Sequence, residues 1–280
     1  GLQLPRVAVT TETGAYQFPN IPIGTYAVTF ELQSFKTATR QNILIVAGFN
    51  APVDQPLAVG DMSEVVTVSG SAPVVDTKRT TIGGTFDLQT LENIPTARDP
   101  WMVIYMAPGI QLGGTNVGGS GSGQQPSISS RGTTGSVQWN LEGGATTDLV
   151  SNTSASYYNF DSFEQIQVIN GGGDVSVQSS GVSINLITKS GSNVFKGSAV
   201  GTFSNDAMQF QNVTEELFNK GTGGFLSGDP LNRISGVTFE YGGPIIRNRL
   251  WFWVNADHQS INKGVLNYFD RDKGAECVAY

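Results

Sequence analysis

The sequence predicts a mainly β protein made of three successive parts. Three observations lead there. Thirty-five of its 280 residues are glycine and only 14% are charged, a composition suited to many tight turns between short strands. Apolar residues alternate or cluster in short runs bounded by turn residues, with one helix-like interval in the middle. No apolar run approaches the ~20 residues of a membrane-spanning helix. Barrel strands, short and only half apolar, remain compatible with this text.

Charge and cysteine content narrow the function classes. The net charge is −7 and no basic run occurs, which argues against nucleic acid as a partner, because neutralising phosphates needs clustered Lys and Arg. The single cysteine, Cys277, has no internal disulfide partner and no CxxC context. The chain opens at Gly1-Leu2-Gln3 without Met, basic n-region or apolar h-region. Its start is therefore expected to be an internal point of a longer polypeptide, and Ala275 to Tyr280 carries no stop-like feature.

Residues 1–59 read as all-β. Ala15 to Phe18 and Thr25 to Phe30 alternate as half-buried strands do, around a turn-rich bend from Pro19 to Gly24. Further strands are expected at Phe35 to Thr39, Asn42 to Val46 and Ala51 to Leu57. This density suits a small sandwich. The run Gly14-Ala15-Tyr16-Gln17-Phe18-Pro19-Asn20-Ile21-Pro22-Ile23-Gly24-Thr25-Tyr26 resembles the carboxypeptidase regulatory-like domain, an immunoglobulin-like β-sandwich. That family has further strands before this point, so a truncated sandwich is expected.

Residues 60–75 read as a linker. Within it, Glu64, Val65, Val66, Thr67 and Val68 have high β-propensity and are suited to adding a strand to a partner's sheet. The segment resembles the TonB box of outer-membrane receptors, the stretch pulled by the energy-coupling protein TonB. A last sandwich strand or a plain linker strand is the alternative.

Residues 76–192 contain the helix-like interval. Apolar positions at Leu88, Leu91 and Ile94 follow Asp87, a candidate N-cap, and Pro95 ends the run. Pro100 opens a second helix reaching Ala107. Residues 113–125 are Gly, Ser, Asn and Gln, a loop composition. Its glycines lack the flanking strand and Lys-Ser/Thr of a phosphate cradle. Ser127 to Gly132 and Val137 to Gly144 read as two strands. Asp148, Asn152 and Asp161 are scattered oxygens without the spacing of a calcium loop.

The stretch Asn159 to Asn193 organises the chain. Two apolar runs, Phe163 to Ile169 and Val182 to Ile187, read as buried strands joined by a glycine-dependent connection. Phe163-Glu164-Gln165-Ile166-Gln167-Val168 and Gly181-Val182-Ser183-Ile184-Asn185-Leu186-Ile187-Thr188-Lys189-Ser190-Gly191 resemble the plug domain of TonB-dependent receptors. So do Asn93 to Arg98, Ala107-Pro108-Gly109-Ile110, Ser130-Arg131-Gly132 and Leu141-Glu142-Gly143. Glu142 stands where the family usually has Asp, Gln167 where it has Glu, and Asn170-Gly171-Gly172 where it has R-G-P. The resemblance implies that Arg131 pairs with barrel carboxylates beyond this chain, and that the second latch arginine is missing.

Residues 193–280 alternate as barrel strands do. Phe195, Gly197, Ala199, Gly201 and Phe203 alternate with Lys196, Ser198, Val200, Thr202 and Ser204. A polar loop, Asn205 to Asn232, precedes strands at Ile234 to Tyr241 and Leu250 to Asp257. A turn from Gly242 to Arg249 joins them. Three strands cannot close a barrel.

The fold class expected is a partial sandwich, an α+β plug and the first strands of an incomplete transmembrane β-barrel. No catalytic constellation is read: His258 is the sole histidine, and neither a nucleophile elbow nor an HExxH run accompanies it. The chain as a whole resembles the Oar-like branch of TonB-dependent receptors. That resemblance implies a Gram-negative outer-membrane location with the N-terminal domain and plug facing the periplasm. TonB, membrane lipid and an external solute are the implied partners, no cofactor is implied, and energised uptake is the implied activity. A secreted, β-rich adhesive protein is the alternative.

Overall fold

The computed structural model describes residues 5–47, 50–60, 65–68, 81–94, 96, 98–114, 121, 123–130, 132–134, 136–173, 181–210, 214–220 and 231–263. The chain divides into two compact units, residues 1–81 with 246–249 and residues 82–245 with 250–280.

In the first unit, β1 (Gly24–Phe30), β2 (Thr37–Ile45) and β3 (Val65–Val68) form one sheet in that order. Burial alternates along β1, with Tyr26, Val28 and Phe30 on the less exposed side. β2 pairs antiparallel with β1, and β3 runs parallel to β2 from Thr37↔Val65 to Arg40↔Val68. Two expected strands are absent. Ala15 to Phe18 and Ala51 to Leu57 belong to no ladder. Pro19, Pro22, Pro52 and Pro56 punctuate both stretches and cannot donate to a ladder. Tyr16 ties them together instead. Its ring meets Phe18 and Phe30 edge-on at 5.9 and 5.5 Å, and its hydroxyl donates to the Val53 carbonyl at 2.6 Å.

The second unit begins with β4 (Ile82–Asp87), α1 (Leu88–Asn93) and α2 (Pro100–Tyr105). Asp87 caps α1 as its spacing predicts, accepting from the Thr90 amide at 2.9 Å. The helix starts only at Leu88, and the residues before it are a strand. Gly83-Gly84 hides that strand from a propensity reading. Asp99 caps α2, with Pro100 in the first turn.

β5 (Ile110–Leu112), β6 (Ile128–Ser130) and β7 (Thr133–Thr134) make a small sheet. β8 (Val137–Leu141) and β9 (Gly144–Ala145) follow, then the two-residue strands β10 (Thr147–Asp148) and β11 (Thr153–Ser154). The two expected strands around Gly132 do not pair with each other. β6 joins β5 and β7, while β8 runs parallel to a later strand.

β12 (Phe163–Gly171) and β13 (Val182–Thr188) are the apolar runs of the organising stretch. They pair antiparallel, with Val168 opposite Ile184 and Ile166 opposite Leu186. The sheet order is β4-β12-β13-β8-β9. Its core holds Ile166, Val168, Ile184 and Leu186 against Val103 and Ile104 of α2. Trp101 and Trp139 meet edge-on at 4.9 Å in the same cluster.

β14 (Lys196–Asn205), the short α3 (Glu215–Asn219), β15 (Leu231–Ile246) and β16 (Leu250–Lys263) complete the described chain. The three strands form a meander in sequence order. β15 continues five residues past the expected Tyr241, through Gly242-Gly243, to Ile246. Those glycines sit beneath aromatic rings. A Cβ at Gly242 would lie 2.2 Å from the Trp253 ring, and one at Gly243 2.1 Å from that of Phe195. The turn itself is Arg247 to Arg249, with Asn248 at φ 62°.

Candidate functional site

Seven of the motif residues singled out in the sequence, Glu142, Gly143, Glu164, Asn185, Thr188, Lys189 and Gly191, lie where the five-stranded sheet meets the meander. The first element is the two-residue hairpin between β8 and β9. Glu142 (φ 52°) and Gly143 (φ 81°) both have positive φ, as a tight turn matched to strand twist requires. Gly143 adopts this without strain, whereas Glu142 pays for it. Its carboxylate offsets the strain. Oε1 accepts from the Thr188 amide at 2.6 Å and from the Thr188 hydroxyl at 2.7 Å. The Glu142 amide donates to the Leu186 carbonyl at 2.9 Å, and the Gly143 amide to Asn185 Oδ1 at 3.0 Å. The turn is thus clipped to the end of β13.

The second element is the exit from β13. The Lys189 amide donates to the Ser162 carbonyl at 2.9 Å. Its side chain reaches β15, with Nζ 2.8 and 2.9 Å from the two carboxylate oxygens of Glu240. Ser198 on β14 donates to the same carboxylate at 2.8 Å. Nζ also stands 5.8 Å from the ring centre of Trp253 on β16. Both charged side chains are nearly out of solvent, 12% exposed for Lys189 and 7% for Glu240. Asn159 adds a polar contact to the same meander, donating to Thr238 Oγ1 at 3.4 Å and Asn255 Oδ1 at 3.3 Å. Trp251 donates to Asn193 Oδ1 at 2.8 Å. At Gly191 the approach to β16 is close enough that a Cβ would fall 2.3 Å from the Phe252 carbonyl oxygen.

Glu164 on β12 belongs to the same corner. Burial pushes its carboxyl above the ordinary range, and the neighbouring Glu142 adds to the rise. Gly181 lies just before β13, where a Cβ would fall 2.2 Å from the Ser136 carbonyl oxygen. Gly132 takes φ 77° in the turn before β7. Arg131 and Glu64 lie outside the described residues. Val65, Val66, Thr67 and Val68 form β3, paired to β2, the position of a last sheet strand.

Sequence reasoning missed two partnerships. Arg98, at φ 52°, forms an ion pair with the buried Asp161 and stands 5.6 Å from the Phe160 ring centre. It joins the α1–α2 connection to the turn before β12. Asp161 is therefore not a loose oxygen. Nor is Asp148, whose carboxyl is lowered first by the Ser151 hydroxyl and then by the Val150 amide. The other missed partnership is Lys189–Glu240. A lysine at a strand end and a carboxylate amid aromatics were both visible, but not their register. Among the described residues no group of three His, Cys, Asp or Glu side chains could hold a metal ion.

The meander has an unusual polarity. Phe239 and Tyr241 are exposed, while Glu240 between them is buried. The paired positions Gly197, Ala199 and Gly201 lie on the same outer side as Tyr241, Phe239 and Val237. Phe195 stacks on Tyr241 at 5.8 Å, and Tyr241 meets Phe252 at 6.0 Å. The polar side of the meander faces the five-stranded sheet.

The second unit thus joins an α+β sheet to antiparallel strands with a polar inner side. The chain is similar to the TonB-dependent transporter Oar of Myxococcus xanthus, with 27% identity over 266 residues. That match covers 90% of this chain and 24% of the relative, so the chain spans about a quarter of the relative's length. No protein-family model matches. Among solved structures, the siderophore receptor PirA from Acinetobacter baumannii is similar at TM-score 0.45 and 17% identity, over 63% of this chain and 24% of that one. The pyoverdine outer-membrane receptor FpvA from Pseudomonas aeruginosa is similar at TM-score 0.44 and 14% identity, over 65% and 22%.

Proposed function

We propose that this chain is the plug-bearing part of a TonB-dependent outer-membrane transporter that takes up an external solute. The observation that carries the reading is the reversed alternation of the meander. A sheet that leaves Phe239 and Tyr241 exposed and buries Glu240 suits lipid on one side and a polar lumen on the other. The aromatic ladder Phe195–Tyr241–Phe252 fits an interfacial girdle. Similarity to a TonB-dependent transporter along 90% of the chain supports the same reading.

On this reading residues 1–59 are a regulatory-like sandwich domain, 60–75 a linker, 76–192 the plug and 193–280 the opening of the barrel. The N-terminal domain and plug face the periplasm. TonB grips an extended strand at Glu64 to Val68 and transmits force from the inner-membrane energising complex. The plug then rearranges and the solute passes. The protein performs no catalysis on that solute.

The test uses the full-length protein in its own outer membrane. Deleting Glu64 to Val68 is expected to abolish energised uptake while leaving solute binding at the cell surface intact. Unchanged uptake would remove the assignment of the coupling segment. Recovery of the full-length protein outside the outer membrane would remove the transport reading itself.

A further inference from the structure

We infer that the cavity between the start of α2 and the β5–β6 hairpin is a binding subsite for an uncharged, hydroxyl-rich solute, a neutral oligosaccharide. The inference rests on the reading of the chain as part of a solute transporter, and it names the class of solute.

The cavity measures about 390 Å³, within the ~300–1,000 Å³ range of small-molecule sites. Trp101, Met102 and Leu112 form an apolar wall, and Gln124, Gln125 and Ser127 a polar one. The polar wall is held in place. The Gly113 amide donates to the Ser127 carbonyl at 2.7 Å, which extends the β5–β6 ladder by one step. Gln125 Nε2 donates to the Ser154 carbonyl at 3.2 Å, and its Oε1 accepts from the Ser154 amide at 3.0 Å. Gln124 is exposed, so its carboxamide can reach a solute.

Charge selects the solute. Asp99 is the only charged residue among the described residues that line the cavity, and none of them is cationic. Its Oδ1 already accepts from the Trp101 amide at 2.9 Å. The sequence from residue 109 to residue 130 carries no charged residue at all. An anionic solute would find no counter-charge here and one carboxylate against it. Carboxamides and hydroxyls both donate and accept, as sugar hydroxyls do. The apolar wall suits the C–H face of a sugar ring.

The position suits a solute arriving from outside. A Cβ at Gly123, beside the lining residue Gln124, would fall 2.7 Å from Ile261 Cδ1, near the end of β16. The connection of residues 206–230 leaves β14 and enters β15 at this end, where Asn232 donates to Asn262 at 3.0 Å. The short turn from Arg247 to Arg249 is at the opposite end. In outer-membrane barrels the long loops face outward and the short turns face the periplasm. The cavity therefore lies on the outward side.

The test measures binding to the purified full-length protein by calorimetry. The neutral probes are maltotriose, cellotriose and xylotriose; the anionic ones are trigalacturonate and ferric citrate. At least one neutral trisaccharide is expected to bind about tenfold or more tightly than either anion. Gly114 lines the cavity, and a Cβ there would meet no atom within 4 Å. Gly114→Phe therefore takes up its space without a clash, and is expected to abolish binding while leaving thermal unfolding unchanged. Gln124→Lys brings a cation to the polar wall. It is expected to weaken neutral binding about tenfold and to admit trigalacturonate.

A wild-type protein that binds none of the neutral trisaccharides, or binds either anion more tightly, overturns the proposal. So does a Gly114→Phe variant that binds as the wild type does. Both results leave the transport reading standing. Absence of the full-length protein from the outer membrane, read by fractionation, removes the transport reading and this proposal with it.

Discussion

The five-stranded sheet and the three-stranded meander share a two-residue period and differ in what they bury. β12 and β13 put Ile166, Val168, Ile184 and Leu186 inside. β15 puts Glu240 inside and Phe239 and Tyr241 outside. Strand geometry is the same in both. The free energy of each face is set by its surroundings, so the hand of the alternation reports the solvent and not the fold. In water, apolar residues left out cost the protein their burial. In a bilayer the same residues are already in apolar surroundings, and a polar inner side is stable only where it is hydrogen-bonded or wet.

The comparison breaks most sharply at the cores. Ile184→Ala opens a cavity at a fully buried position and is expected to destabilise the unit by ~2–5 kcal/mol, measured by urea or thermal unfolding. Phe239→Ala is expected to change the same measurement far less, since that ring is 53% exposed. Equal losses at both positions would mean that the outer side of the meander is covered by the protein itself.

A charge on the outer side asks the same question of the membrane. Phe239→Arg is expected to cost ~2–4 kcal/mol in lipid bilayers if the residue sits at mid-depth, falling toward zero near the interface. Refolding into lipid vesicles, with and without the substitution, gives the difference. A cost near zero for Phe239→Arg combined with a full cost for Val237→Arg would place the interface rather than refute the membrane. Zero cost at both would refute it.

The hairpin clip is next. Glu142→Ala leaves the Thr188 amide and hydroxyl without their acceptor, while its Cβ keeps the backbone strained at positive φ. A destabilisation of ~1–2 kcal/mol is expected. Glu142→Asp shortens the side chain by one methylene. It relieves the turn but shortens the reach to Thr188, so thermal unfolding should fall between the wild type and Glu142→Ala.

What could be read from the sequence follows the same division. The buried strands β12 and β13, the cap Asp87, the helix start at Pro100 and the meander's alternation were all legible, because each rests on spacing within a few residues. The strand Ile82–Asp87 was hidden by Gly83-Gly84, whose lack of side chains removes the propensity signal while the backbone still pairs with β12. Gly242-Gly243 read as a turn and proved to be strand, because the rings of Trp253 and Phe195 that cover them come from elsewhere in the chain. Tyr16 was legible as half-buried but not as the tie to Val53. The parallel pairing of β8 with β13 and the reach of Lys189 to Glu240 depend on long-range register. No local pattern encodes either.

The smallest expected effect tests the corner where the two sheets come together. Burial, with Glu142 nearby, raises the Glu164 carboxyl. The folded protein therefore holds that proton more tightly than the unfolded chain, whose glutamate titrates near ~4.3. The proton's contribution to stability is complete below the unfolded value and is lost as pH rises through the folded one. At neutral pH the wild type carries a half-buried charge that Glu164→Gln lacks. The glutamine variant should therefore unfold at a higher temperature than the wild type at pH 7, and the gap should close as pH falls toward 4. A gap that is constant across this range would show that the carboxyl is solvated like an ordinary surface group. The corner between Glu142, Glu164 and Lys189 would then be wet.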